Sequence, residues 1–333
     1  MILAAFRPDT KAFLRDTGLI APTVQMVYRR ARVGVRSRAA YLSGGAHPSV
    51  FRASDISLGR MIGLANAIAP DAVPPMVRLQ MLQETVAQEG TDYFGDGLSE
   101  VLFDTPSAIA RIWRSRQGRR SMVVSAADTS DPNGRDLQFE WVVLRGDPAK
   151  VTVTVTPLTP NGSHAHISLD WQDPLPVPGA PDIISSRIDI GVFANNGVYD
   201  SAPAFISVLL PHHETRIYQP GPGGVPRIVS LDRSLANGFY ADPGLFPKMP
   251  WRDDYRYDAV GLPTGWTRHS TRKDTEETTE ENSTAYTSVG HRILTRDGAG
   301  APLETVPVRY VFEQKKDARP RLREQPVAPV AKQ

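Results

Sequence analysis

The sequence predicts a mainly β chain: an antiparallel β-sandwich over residues 104–211, with a helical N-terminal region before it and β hairpins after it. Three observations lead there. Strand-length apolar runs recur between residues 121 and 211; turn-forming clusters separate them; and residues 1–70 carry helical spacing instead.

In the N-terminal region Asp9 is placed to cap a short helix through Phe13 and Leu14, which the helix-stopping Gly18 ends. Pro22 suits the first turn of a second helix carrying Val24, Met26, Val27 and Tyr28. Asp55 or Ser57 caps a third. Its Leu58, Met61, Ile62, Leu64, Ala65 and Ile68 form an apolar stripe that stops before Pro70. Residues 1–103 are therefore expected to be mostly helical. Within them, residues 76–82 alternate as a strand does, and 88–97 read as a glycine-bearing loop.

Residues 107–113 alternate as a strand, although a short apolar run also fits a helix. Residues 122–124, 137–144, 151–155, 164–171, 188–194 and 204–210 then follow as strands. Asp131-Pro132-Asn133-Gly134, Gly146-Asp147-Pro148, Pro160-Asn161-Gly162-Ser163 and Asn195-Asn196-Gly197 supply the turns. Beyond residue 211 the pattern loosens. Residues 212–314 read as a hairpin-rich extension, with a hairpin over 254–267 about Gly261, a solvated acidic loop over 273–282 and a last strand over 305–312. Residues 315–333, rich in charge, proline and small side chains, are expected to be disordered.

The chain has 333 residues, 41% apolar and 22% charged, enough for more than one folded unit. No cysteine is present, which removes disulfides, thiolate nucleophiles and cysteine-bound zinc. A formal charge of +2 is too small to imply a polyanionic partner for the whole chain. Arg29, Arg30, Arg32, Arg36 and Arg38 nevertheless crowd one stretch, and Arg111, Arg114, Arg116, Arg119 and Arg120 another. Without a recognisable nucleic-acid fold beside them, such clusters are expected to be solvated or paired within the molecule. The opening apolar run meets Arg7-Pro8-Asp9 too soon for a signal-peptide core, and no stretch reaches membrane-spanning length.

Val124-Ser125-Ala126-Ala127-Asp128-Thr129-Ser130-Asp131-Pro132-Asn133-Gly134, followed by Leu137, Phe139 and Trp141, resembles the polycystic-kidney-disease (PKD) type of immunoglobulin-like domain. Pro132 and Gly134 make the turn, Asp128 and Asp131 accept its open N–H groups, and Leu137, Phe139 and Trp141 share one face at a period of two. Residues 187–192, the Asn195-Asn196-Gly197 turn and residues 201–208 resemble the closing hairpin of that family. The match covers about a third of the chain. It departs after the tryptophan, at residues 142–148, and in the proline-rich excursion at 174–181. Tyr255-Arg256-Tyr257-Asp258-Ala259-Val260-Gly261 looks like a single unit of the tyrosine-aspartate repeats of secreted bacterial shells, and one copy reads most simply as a hairpin.

Candidate chemistry is sparse. Asp128, Asp131, Asn133 and Asp200 are oxygen donors of a kind that holds calcium, or caps turns. His164 and His166 share a strand face but lack a third ligand; in His212-His213-Glu214 the adjacent histidines would point apart on a strand, and the segment is expected to be a surface turn. Glu84, Asp92, Asp96, Glu100 and Asp104 allow a carboxylate pair if a cleft fixes their separation. Trp113, Trp171, Trp251 and Trp266, with Tyr240, Tyr255 and Tyr257, would stack on sugars if exposed. No cofactor motif is present.

The resemblance implies a non-catalytic, extracytoplasmic accessory, spacer or binding protein contacting protein or polysaccharide, either whole or as the C-terminal part of a longer chain. The alternative is a hydrolase or lyase acting on a secreted polymer, with its site where the helical region meets the sandwich, near residues 93–104. A third option is an anionic-surface binder using Arg29 to Arg38. No nucleic acid is expected.

Overall fold

The computed structural model describes residues 1–88, 92–93, 97–156, 161–178, 180–233, 242, 245, 247–273, 279–313 and 321–327. The chain divides into two compact units. Unit 1 comprises Met1–Thr85, Val101–Arg111 and Arg120–Leu209; unit 2 comprises Val86–Glu100, Ile112–Arg119 and Leu210–Gln333.

Unit 1 opens with helices α1 (Ile2–Ala5), α2 (Pro8–Asp16), α3 (Ile20–Arg30), α4 (Arg38–Tyr41) and α5 (Leu58–Ala67). Pro22 falls in the first turn of α3, where a missing N–H costs nothing. Ser57 caps α5 through its Oγ and Arg60 N. Asp9 lies inside the first turn of α2 instead of capping it, and Arg7 holds the cap position. Half of the α5 stripe turns inward: Met61, Ala65 and Ile68 are buried, whereas Leu58 and Ile62 are exposed.

The strands of unit 1 are β1 (Gln80–Glu84), β2 (Val101–Thr105), β3 (Ala108–Ile112), β4 (Arg119–Ser125), β5 (Gln138–Arg145), β6 (Val151–Val155), β7 (His164–Asp170), β8 (Leu175–Val177), β9 (Ala180–Ser185), β10 (Arg187–Asn195) and β11 (Ala204–Leu209). They form a four-stranded sheet, β1-β4-β7-β6, a five-stranded sheet, β2-β3-β11-β10-β5, and the small hairpin β8-β9. Set aside the two hairpins β2-β3 and β8-β9, and seven strands remain. Their orders, first-second-fifth-fourth and third-sixth-seventh, are those of a constant-type immunoglobulin domain. The β structure begins at Gln80, before residue 104.

Strand β10 is buried from Ile188 to Ala194, so both its faces are covered. On one face Phe193, with Leu144 and Val142 of β5, joins the helical core of Phe6, Leu14, Met26, Val27, Tyr41 and Met61. Each such side chain contributes about 1.5–3 kcal/mol by leaving water. Gly191 permits this packing, because a Cβ there would lie 2.5 Å from Leu144 Cδ1. The register Phe139↔Ala194 and Trp141↔Val192 puts Phe139 and Trp141 on the opposite face. There Phe139 N donates to Asn161 O at 2.9 Å and Trp141 Nε1 to Gly162 O at 2.8 Å, in the turn leading into β7. Leu137 and Phe139 are buried, and Trp141 is half-buried.

Unit 2 contains a seven-stranded antiparallel meander in sequence order: β12 (Thr215–Pro220), β13 (Pro226–Asp232), β14 (Trp251–Tyr257), β15 (Pro263–Lys273), β16 (Thr279–Tyr286), β17 (Arg292–Arg296) and β18 (Pro302–Val306). A separate hairpin pairs β19 (Val308–Glu313) with β20 (Arg321–Pro326). Part of the segment expected to be disordered is thus a strand, because Leu322 alternates with charged neighbours and is fully buried in the aromatic core of this unit. The hairpin expected about Gly261 is β14-β15, with φ +89° at that glycine.

Candidate functional site

Three of the four oxygen donors singled out for calcium, Asp131, Asn133 and Asp200, are engaged within the protein. Asp131 Oδ1 accepts from Asn133 N at 2.8 Å and Arg135 N at 3.2 Å, and its Oδ2 from Asn196 Nδ2 at 2.7 Å. Asn133 bonds Pro70 O and Val73 N. Buried Asp200 takes Arg30 Nη2 at 2.7 Å, Arg38 Nε at 2.9 Å and Asn195 Nδ2 at 2.7 Å. The Asn195-Asn196 corner therefore ties both carboxylates down, one through each asparagine. Asp128 is exposed. Among the described residues, no group of three or more His, Asp or Glu is placed to hold a metal ion.

His164 and His166 lie on β7, His164 with Nδ1 3.1 Å from Ser163 Oγ. His212 and His213 lie in a turn before β12, but it is not the surface turn expected: His212 is half-buried and His213 and Glu214 are buried, and burial lowers both imidazole pKa values.

Four of the five carboxylates between Glu84 and Asp104 are similarly committed. Glu84 and Asp104 both grip Arg111, at 2.8–2.9 Å and 2.7–3.2 Å. Glu100 Oε1 accepts from Arg114 N and Ser115 N, each at 2.7 Å, and Asp92 Oδ1 lies 3.6 Å from Arg116 Nε. Asp96 falls outside the described residues. The crowded arginines are internal partners in most cases: Arg32 pairs with Asp55 and Arg114 with Asp242.

A buried ionic ladder in unit 2 joins residues that no sequence motif marks as a set. Glu214 accepts from Arg216 Nε at 2.6 Å and Arg233 Nε at 3.0 Å. Arg233 Nη1 is 4.0 Å from Asp253, which takes Arg268 Nε at 2.7 Å and Nη2 at 2.8 Å. Arg268 Nη1 donates to Tyr310 OH at 3.1 Å, and Tyr310 and Tyr286 both donate to Glu324. Burial alone would raise the Glu214 carboxyl, but the flanking guanidiniums of Arg216 and Arg233 hold it below the ordinary carboxylate range. That direction is opposite to what a general acid needs.

Rings and guanidiniums alternate along the same sheet face. Arg116 lies 5.4 Å from the Tyr255 ring centre and 5.0 Å from that of Trp266. Trp266 stacks on Tyr286 at 5.2 Å and 13°, and Arg268 sits 5.3 Å from Tyr286 and 3.7 Å from Trp251. Each close contact of this kind is worth about 0.5–2 kcal/mol. Trp113, Trp251 and Trp266 are buried; Trp171, Tyr255 and Tyr257 are half-buried; Tyr240 is outside the described residues.

Two clefts open along this series. The first, about 290 Å3, is lined by Tyr255, Tyr257, Arg116, Arg227, Asp92 and Ser288. Arg227 stacks 4.9 Å from the Tyr257 ring, whose hydroxyl donates to Ile228 O at 2.7 Å. Ring face, guanidinium and carboxylate are thus fixed before any ligand arrives. The second, about 590 Å3, is lined by Trp251, Arg268, Tyr286, Glu324, Thr284 and Lys248.

The other face of β14-β16 carries a polar array. Ser283 Oγ is 3.0 Å from His269 Nδ1, and His269 Nε2 is 3.2 Å from Asp254 Oδ2. With Nε2 protonated, the ring donates to Asp254 and accepts the serine proton. Asp254 also takes Arg252 at 3.0 Å and Ser230 Oγ at 3.1 Å. The strand register brings these residues together from four strands, β13 to β16, with no local motif to mark them.

Among the described residues no helix is long and apolar enough to cross a membrane. No protein-family model matches the chain, and no curated protein matches it. Two solved structures align over 63% of this chain: tandem Ig repeats of Dlar, at 10% identity over 97% of that chain, and the N-terminal Ig1-2 module of the Drosophila receptor protein tyrosine phosphatase DLAR, at 11% over 98%. Both have a TM-score of 0.18, so the immunoglobulin-like arrangement of unit 1 rests on its own strand order.

Proposed function

We propose that the protein is a non-catalytic, extracytoplasmic binding module that contacts polysaccharide through the tyrosine-lined cleft of unit 2. Unit 1 is its scaffold: the two sheets close into a sandwich of the PKD-like, immunoglobulin-type kind, with the helices over one outer face. One observation carries the reading. Half-buried Tyr255 and Tyr257 line a single cleft with Arg116 and Arg227 held against their rings, an arrangement suited to stacking a sugar ring and bonding its hydroxyls. The commitment of Glu84, Asp92, Glu100 and Asp104 to arginine or backbone partners supports a binding role over carboxylate catalysis. Retention of the folded protein on a panel of insoluble polysaccharides tests it. Retention on at least one, weakened about tenfold by Tyr257→Ala, is expected; retention on none rejects it.

A second reading, a hydrolase of polymer-borne esters, is favoured by the Ser283–His269–Asp254 array. Ser283 Oγ would attack the ester carbonyl as His269 Nδ1 takes its proton, which then passes to the leaving alcohol; water releases the acyl group. Turnover of p-nitrophenyl acetate that Ser283→Ala abolishes would support it. A rate equal to buffer alone eliminates it.

A further inference from the structure

We propose that an arginine-lined pocket in unit 1 is an oxyanion-binding site. It is independent of the unit 2 cleft and differs in chemistry. Arg30 at the end of α3, Arg36, Ser37 and Arg38 around the start of α4, and Arg60 of α5 surround about 430 Å3, together with Val35 and Leu64.

Four guanidiniums stand here against two carboxylates. Asp200 takes one nitrogen each from Arg30 and Arg38, and Glu140 Oε1 takes the remaining two Arg38 nitrogens at 3.3 Å. Arg36 and Arg60 meet only carbonyls among the described residues. Arg36 Nε donates to Val33 O at 3.4 Å, and Arg60 Nη1 to Arg32 O and Val35 O, each at 2.8 Å. A carbonyl orients a guanidinium without cancelling its charge, so the pocket retains a net positive field. Arg30 Nε is buried there without a hydrogen-bond partner.

The fixed fork of a guanidinium matches the paired oxygens of sulfate, phosphate or carboxylate. A concave pocket with cations from three separate elements suits one oxyanionic group, where a nucleic-acid backbone needs an extended basic stripe and a higher net charge than +2. Arg36 is exposed, so its two outer nitrogens can close on the ligand.

Calorimetric titration of the full chain with inorganic sulfate and phosphate, beside retention on immobilised heparin, tests the site. Binding of at least one inorganic anion is expected, weakened about fivefold or more by Arg36→Gln and unchanged by Arg52→Gln, an equal loss of charge at an exposed position of the same unit. Heparin binding a hundredfold tighter than sulfate would assign the oxyanion to a polysaccharide, and comparable binding to the free anion. Tyr257→Ala should leave all of this unchanged, which separates this site from the cleft of unit 2. Absence of heat with both anions overturns the proposal, as does an equal effect of Arg52→Gln, or duplex DNA bound as tightly as heparin by native and Arg36→Gln protein alike.

Discussion

The Arg268 guanidinium lies 3.7 Å from the centre of the Trp251 ring while both its outer nitrogens and Nε are bonded, two of the three to Asp253. A cation this deep in the sheet is tolerated because a carboxylate, a phenol and a ring face replace its water.

Removing one member should therefore cost far more than removing the pair. Arg268→Met leaves Asp253 with Arg233 at 4.0 Å as its ion-pair partner among the described residues, and destabilisation of about 3–5 kcal/mol is expected. Arg268→Met combined with Asp253→Leu should recover part of that loss. Urea unfolding followed by tryptophan fluorescence, read as a double-mutant cycle, measures both; additive effects would contradict the coupling.

Asp200 has a comparable role in unit 1. Asp200→Ala removes the acceptor of Arg30 Nη2, Arg38 Nε and Asn195 Nδ2 together, and a loss of about 3 kcal/mol is expected. Asp128→Ala, at an exposed position, should change stability by less than about 0.5 kcal/mol in the same denaturation assay.

Stability should fall in mild acid through His47. Burial, and then the Arg29 charge beside it, lower its imidazole from 6.5 to about 3, with Nε2 2.6 Å from Tyr41 O. Between those values the unfolded chain binds a proton that the folded chain refuses. Its contribution is thus fully present above pH 6.5 and declines as the pH falls towards 3, by about 2–3 kcal/mol at pH 4.5. His47→Gln should flatten this part of the stability–pH curve; an unchanged slope would contradict the assignment.

Gly265 cannot accept a side chain. Its φ is +137°, and a Cβ would lie 2.1 Å from Tyr286 O across the β15-β16 pair. Gly265→Ala should cost about 1–3 kcal/mol and speed amide exchange in those strands. Gly298, where an added methyl group would meet nothing within 4 Å, should tolerate alanine within about 0.5 kcal/mol.

Much of unit 1 is legible in the sequence because its signals are local. The alternation of residues 151–155 predicts a strand and forms one, and Pro22, Ser57 and the Asn-Asn-Gly corner act where their chemistry places them. The alternation at residues 76–82 starts before the strand does, since Val77 and Leu79 are buried while the ladder with β4 starts at Gln80. The ionic ladder leaves a faint trace, in that Trp251, Asp253 and Tyr255 alternate with Arg252 and Asp254, as do Trp266 and Arg268 with Thr267. Aspartate and arginine inside an aromatic stripe look like a strand edge. Only the neighbouring strand reveals that each charge meets its opposite.

By itself, the sequence determined the main helices and several strands and turns of unit 1, because periodicity, caps and turn residues act within a few positions; it missed strand β20 where disorder was expected and the start of β16 where a loop was expected. Tertiary structure alone decided that Asp200 answers Arg30 and Arg38 across 170 and 162 residues, that Glu214 to Arg268 form one buried series, and that Arg36 and Arg60 meet only carbonyls among the described residues. Charge pairing falls off with distance in space, and a pattern along the chain carries no such distance.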